Sequence, residues 1–149
     1  MKLFVARDEP RQADVAQFEL EGWIDNAPFE VLLGMHIERV ADGQALLSMP
    51  FTVMLANGGG VMHGGAMTAL ADTAVAIAIK SLLPPGTTFA TTALTMKFVA
   101  PVLAGGVVAH AQIRGSEGRT FHGVCELRGE QDELYASFTS EFKVAHRQK

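Results

Sequence analysis

Residues 57–79, NGGGVMHGGAMTALADTAVAIAI, set Asn57, His63, Thr68, Asp72 and Thr73 into a run otherwise made of Gly, Ala, Met and aliphatic side chains, without a Lys or Arg. On a helix, Thr68, Ala69, Val75 and Ala76 lie about one turn from Asp72, so the carboxylate shares a face that otherwise favours burial. A lone buried carboxylate is costly unless it is hydrogen-bonded or protonated. Asp72 is therefore either a structural acceptor or an acid/base group with a raised pKa. Gly64 and Gly65 stand where such a helix begins. Their N–H groups have no intrahelical acceptor there, they point outward with the positive end of the helix dipole, and the missing side chains let a ligand approach. The stretch thus offers a carboxylate suited to proton transfer and backbone donors suited to developing negative charge.

The elements that must position these groups follow from length and periodicity. The 149 residues suit one domain over 1–149, large enough to bury roughly 70% of its unfolded surface. We expect an N-terminal helical extension over about 1–33 and a core over about 34–144. Residues 16–33, AQFELEGWIDNAPFEVLL, read as an amphipathic helix broken near Pro28, followed by a strand from Met35 to Val40, a turn at ADG and a second strand in QALLSMPF. Ala66 to Leu83 contains no Gly or Pro, which predicts a helix about 27 Å long, stopped by LPPG. It is apolar nearly all round and has to be wrapped. Thr88–Val99, Gly106–Arg114, Arg119–Arg128 and Glu133–Val144 alternate with period two; in the last, Leu134, Ala136, Phe138, Phe142 and Val144 share one face. The short links AGG, SEG and GEQDE suit antiparallel neighbours, so the expected class is α+β: a curved antiparallel sheet around one long central helix. The first dozen residues and the tail AHRQK are the expected loose ends.

Composition excludes several function classes. With 48% apolar residues, 19% charged residues and a net charge of -4, the chain carries no basic surface to attract nucleic acid. Its one cysteine, Cys125, allows no internal disulfide, has no zinc-ligand spacing around it and reads as a core residue; no metal is expected. MKLFVARDEP is too short and too charged for a secretory leader, which points to the cytoplasm. Residues 43–71 are free of Asp, Glu, Lys and Arg, but Pro50, Asn57 and several Gly interrupt them, so we expect protein interior and no membrane span.

Asn57, the His63-Gly64-Gly65 triplet and Asp72 nine residues after the histidine resemble the PaaI-like acyl-CoA thioesterases of the hotdog fold, named for phenylacetate degradation. The likeness extends through LGMHIERVADGQALLSMPF, TTALTMKFVAP and EGR, over roughly residues 28–144. It implies that the Gly64 N–H polarises a thioester carbonyl, that Asp72 is the catalytic carboxylate, as base or as nucleophile, and that Asn57 holds the attacking water. It also places Thr91 near the carboxylate, although a one-residue register change would substitute Thr92. His63 is either the residue that fixes the loop or a catalytic base. Gly65 and Met62 are candidate substrate contacts, and Arg119 a candidate for a coenzyme A phosphate. Met49, Phe51, Met54, Leu55 and Met62 form a candidate surface for an acyl or aryl tail.

No cofactor is implied, coenzyme A being part of the substrate. Gly64 and Asp72 are eight residues apart, hence about 12 Å along one helix, too far to act on one carbon. A two-fold dimer with antiparallel central helices brings Gly64 of one subunit toward Asp72 of the other, and the resemblance implies dimers or dimers of dimers with shared sites. Two alternatives remain at this level: a hotdog hydratase or dehydratase using His63, and a non-catalytic acyl-CoA-binding module, for which a desolvated Asp72 would have no use. GGGVMHGG lacks the spacing and the Lys of a phosphate loop.

Overall fold

Polar side chains compete with the backbone for hydrogen bonds through the first thirty or so residues, and here the expected helix does not form. The computed structural model describes residues 1–146, so the last three residues of the AHRQK tail lie outside the described residues. Two short strands, β1 (Lys2–Leu3) and β2 (Phe18–Glu19), pair antiparallel. Beyond them, the Asp25 carboxylate accepts the backbone N–H groups of Glu21 and Asn26, an arrangement that replaces helical hydrogen bonds over residues 20–27. Only α1 (Pro28–Leu33) is helical. Pro28 suits its first turn, and Gly34, at φ 74°, ends it with its N–H on the Val31 carbonyl and the Met35 N–H on that of Glu30. The extension is thus mostly irregular, and its six-residue helix is too short to be stable without the body it rests on.

From here the period-two reading holds. β3 (His36–Ala41) and β4 (Gln44–Pro50) form a hairpin whose two central residues, Asp42 and Gly43, both have positive φ, the turn that matches strand twist. The central helix, α2 (Gly64–Lys80), is followed by β5 (Phe89–Phe98), β6 (Gly106–Glu117), β7 (Thr120–Arg128) and β8 (Leu134–Val144). Strands β3 to β8 make one six-stranded antiparallel sheet in the order β3-β4-β6-β7-β8-β5. Since β6 continues to Glu117, the tight turn falls at Gly118-Arg119 and not across SEG. Helix α2 touches all six strands, the hotdog arrangement that the resemblance implies.

The helix begins two residues before Ala66 because His63 caps it, and it ends three residues before Leu83. At that end the Ser81 hydroxyl donates to the Ala78 carbonyl, and the Trp23 indole N–H donates to the Lys80 carbonyl at 2.9 Å. Trp23 also stacks against the Lys80 ammonium, so the irregular N-terminal segment closes the C-terminal end of α2. Leu70, Ala71, Ala74, Val75, Ala78 and Ile79 are fully enclosed by the sheet, while Thr68, Ala69, Asp72, Thr73 and Ala76 form a half-buried stripe along the opposite side. One chain therefore wraps most of the helix but not all of it.

Close approach of helix and sheet depends on Gly123 in β7. A Cβ at this position would lie 2.3 Å from Val75 Cγ1, inside van der Waals contact. Replacing Gly123 by Ala should lower unfolding stability by about 2 kcal/mol through overpacking. Urea denaturation measures this, and an unchanged midpoint would contradict the packing described.

Candidate active site

The start of α2 uses up its backbone donors one by one, with a single exception. His63, in an extended conformation, accepts the Gly65 N–H on Nδ1 at 2.8 Å, while its carbonyl accepts the N–H groups of Ala66 and Met67. Among the described residues the Gly64 N–H has no acceptor. That donor, at the positive end of α2, is the one available to a ligand. The same geometry limits two of the expected roles. Gly65 has already given its N–H to His63, and a Cβ there would sit 2.9 Å from His63 Nδ1. His63 is exposed and spends one ring nitrogen as a helix cap, the work of a loop-fixing residue.

The loop ahead of the helix is a small closed turn. Asn57 Oδ1 accepts the N–H groups of Gly59 at 2.8 Å and Val61 at 3.3 Å, and the Asn57 N–H donates to the Val61 carbonyl. Its carboxamide oxygen therefore shapes the loop, and among the described residues its Nδ2 makes no hydrogen bond, which leaves it able to donate to a bound water. Met62 is 3% exposed and belongs to the core; its N–H donates to the Val102 carbonyl, which ties this loop to the segment before β6.

Asp72 lies on the half-buried stripe of α2. The Thr91 hydroxyl of β5 donates to its Oδ1 at 2.8 Å. Partial burial pushes the Asp72 carboxyl above the usual carboxylate range, and the Thr91 hydrogen bond, which favours the ionised form, opposes that rise without cancelling it. The register question is answered by a bulge. β5 and β8 slip between Thr91 and Ala93, so Thr92 turns away and donates to the Glu141 carbonyl.

Other expected residues have structural contacts of their own. Arg119 is half-buried, and its Nη1 donates to the Val144 carbonyl at 2.9 Å, clamping the β6–β7 turn to the end of β8. Val144 pairs with Phe89, so Arg119 sits at the end of β5 that carries Thr91, away from Phe98 and Gly64 of its own chain. The expected apolar tail surface does not form one patch, since Met49, Leu55 and Met62 are core while Met54 is 86% exposed. Cys125 is buried in the core, and burial pushes its thiol up to about 12, which removes it from nucleophilic chemistry. Among the described residues no three His, Cys, Asp or Glu side chains converge as a metal site, and no helix is long and apolar enough to cross a membrane.

One residue that the sequence reading did not single out touches the site. The Phe98 ring lies against Gly64, with Phe98 Cζ 3.0 Å from where a Gly64 Cβ would be. Gly64 is therefore required for contact as well as for access. Within one chain, Gly64 meets β5 at Phe98 and Asp72 meets it at Thr91, toward opposite ends of the strand.

Comparison with known proteins supports the fold. The model of the thioesterase superfamily matches residues 59–136. The chain is 34% identical over 107 residues to the acyl-coenzyme A thioesterase PaaI of Escherichia coli, covering 71% of this chain and 74% of that protein. It is 31% identical over 106 residues to a putative esterase of Halobacterium salinarum, covering 68% and 70%. The solved structure of the Escherichia coli PaaI protein superposes with a TM-score of 0.75 at 30% identity, covering 81% of this chain and 86% of that one.

The raised carboxyl makes two outcomes testable. Because folding penalises the ionised form of Asp72, the stability that its protonated form contributes is present at low pH and is lost as pH rises through its folded-state pKa. Asp72→Asn, neutral throughout, should therefore have a higher urea midpoint than wild type at pH 7, with the difference shrinking on acidification. Thr91→Val removes the hydrogen bond that holds the carboxyl down, so the Asp72 titration followed by carboxyl NMR should move to higher pH still; an unmoved or lowered titration would refute the assigned contact.

Proposed function

The chain belongs to the thioesterase superfamily, and on that premise we propose that it hydrolyses the thioester of an acyl- or aryl-coenzyme A to the free acid and coenzyme A. The observation that carries this reading is Asp72: a carboxylate held on a helix by one hydroxyl and pushed toward the basicity of a general base. Asp72 takes a proton from water, and the hydroxide adds to the thioester carbon. The Gly64 N–H, at the positive end of α2, receives the negative charge that develops on the carbonyl oxygen. The tetrahedral intermediate then expels the coenzyme A thiolate, which takes up the proton that Asp72 accepted, so the carboxylate is restored as the acid leaves. Asn57 Nδ2 orients the water, and His63 keeps the loop and the helix start in place. A non-catalytic binder gains nothing from a carboxylate whose ionisation costs stability.

The reading requires two subunits. Gly64 and Asp72 are about 12 Å apart along α2 and cannot act on one carbon within one chain. Two features support a homodimer with shared sites: the half-buried stripe of α2 that carries Asp72, and β5, one of the two edge strands, whose far edge is unpaired among the described residues. Antiparallel pairing of two such edges, centred near Leu94 and Thr95, sets Phe98 opposite the partner subunit's Thr91. The Gly64 N–H then faces the partner subunit's Asp72. Two such dimers associating further would make a dimer of dimers. A single buried Cys125 suits a reducing compartment, and the cytoplasm is part of the proposal.

Two single variants separate the parts. Asp72→Asn should keep fold and dimer and lose turnover of every acyl-CoA by at least about a hundredfold. Gly64→Pro deletes the donor and presses the Phe98 ring aside while retaining the helix, because proline is tolerated at the first helical position and His63 already has ψ 131°. Unfolded and refolded together in equal amounts, the two inactive variants should recover roughly a quarter of wild-type activity, since half the dimers are mixed and each mixed dimer has one intact site. If mass spectrometry shows mixed dimers and activity stays absent, the shared site is wrong.

A further inference from the structure

The irregular N-terminal segment and α1 enclose a pocket of about 270 Å³. Its apolar walls are Leu3, Val5, Phe18 of β2, and Phe29, Val31 and Leu32 of α1. All but Leu3 are exposed, so apolar surface is gathered here without being buried. None of the lining residues belongs to β5 or to the stripe of α2 that the proposed dimer covers. Three charged side chains, Arg7, Glu9 and Arg11, complete the lining, and all three reach solvent. Among the described residues neither guanidinium pairs with a carboxylate. Arg11 is nonetheless held in place: its Nη1 donates to the Val15 carbonyl at 3.1 Å and to Gln17 Oε1 at 2.8 Å. Gln17 is only 5% exposed, and the rest of its carboxamide serves the same loop. Its Oε1 also accepts the Gln12 N–H at 2.7 Å, and its Nε2 donates to the Pro10 carbonyl at 3.0 Å. A buried glutamine thus braces one nitrogen of Arg11, while Nε and Nη2 have no partner among the described residues.

We propose that this pocket is a second binding site, separate from the thioesterase site, for a monocarboxylic acid with an apolar acyl or aryl body. The carboxylate meets Arg11 and Arg7, and the body lies against Phe29, Val31 and Phe18. A planar carboxylate matches the fork of N–H groups that a guanidinium presents, and a guanidinium already braced through Nη1 loses little freedom when it binds. An exposed arginine that met only water would need no buried brace. The apolar body gains by covering surface that the chain leaves wet. The volume lies near the lower end of the range of about 300–1,000 Å³ usual for small-molecule sites, so it admits an acid of modest size and not coenzyme A. Glu9, in the same lining, opposes a second carboxylate and favours monoacids over diacids. The acid released in the proposed reaction is of this class, but the chemistry of the pocket stands apart from that reading.

Calorimetry at pH 7 with octanoate, octanol and octylamine, which share one tail, reads the head group. Octanoate should bind, and octylamine should bind at least about tenfold more weakly. From butanoate to octanoate the affinity should rise by about threefold for each methylene. Arg11→Gln removes the charge and leaves the apolar walls intact; it should weaken octanoate by at least about tenfold and leave octanol unchanged. Arg7→Gln, at a residue that no protein group braces, should weaken octanoate in the same direction. Intermolecular NOEs from the octanoate methylenes should reach the methyl groups of Val5, Val31 and Leu32. NOEs confined to Met62 and Phe98 would put the acid at the thioesterase site and overturn the proposal. Equal affinity for octylamine, an Arg11→Gln variant that binds octanoate as tightly as wild type, or binding to phosphatidylglycerol vesicles without binding of monomeric octanoate would overturn it as well. Acyl-CoA hydrolysis is read in a separate assay, and its absence would bear on the thioesterase reading alone.

Discussion

An α-helix with almost no polar side has to be enclosed, and the enclosure of α2 governs the rest of this molecule. Leu70, Ala74, Val75, Ala78 and Ile79 leave water only because a sheet of six strands reaches round them, and that sheet can come close enough only where β7 has no side chain, at Gly123. Hydrophobic burial of this kind is non-directional. What makes it specific is the end chemistry of the helix: His63 closes the N-terminal end, and Ser81 and Trp23 close the other. With both ends satisfied, the helix has one place along its own axis. The unpaired Gly64 N–H and the Asp72 carboxylate are then fixed relative to the sheet, and the Thr91 hydroxyl completes the placement of the carboxylate.

The enclosure is incomplete in a way that matters for chemistry. The stripe from Thr68 to Ala76 is left half-buried, and Asp72 is the titratable residue on it. Full burial within one chain would trap the carboxyl in its protonated form; full exposure would leave it an ordinary weak base. The intermediate position, corrected by the Thr91 hydroxyl, keeps it ionisable yet more basic than a surface aspartate. The strand that supplies Thr91 is the edge strand β5, so tuning of the carboxyl and assembly of two subunits fall to the same element in the proposed function. The candidate active groups of this chain thus lie where its own core runs out.

The N-terminal segment contributes in a different currency. Residues 1–33 form little regular structure, yet Trp23 donates to the Lys80 carbonyl and lies edge-on to Phe89, which in turn meets Phe142. One aromatic side chain from an irregular segment thereby joins the helix end to one end of the β5–β8 ladder. Amphipathic patterning read this segment as helix because its apolar residues recur at suitable intervals. Those residues are instead spread between β2, the Trp23 clamp and α1, and Phe18, Ile24, Phe29, Val31 and Leu32 among them stay exposed.

What the sequence determined by itself is whatever depends on near neighbours. Period-two alternation set β3 to β8 to within a few residues, the Asp42-Gly43 turn set the first hairpin, and the apolar run set α2, because each of these is a property of side chains a few positions apart. The spacing of Asn57, His63, Gly64 and Asp72 was legible for the same reason, as was the gap of about 12 Å along one helix on which the proposed dimer rests. Tertiary structure alone decided which Thr meets Asp72, since a single bulge at Thr92 inverts the faces of a strand. It also decided that Arg119 clamps β8, that Gly65 gives its N–H to His63, and that Phe98, with no motif around it, stands on Gly64. These are contacts between residues far apart in the chain. Their partners are chosen by how the sheet curves around the helix, a quantity that no local pattern encodes.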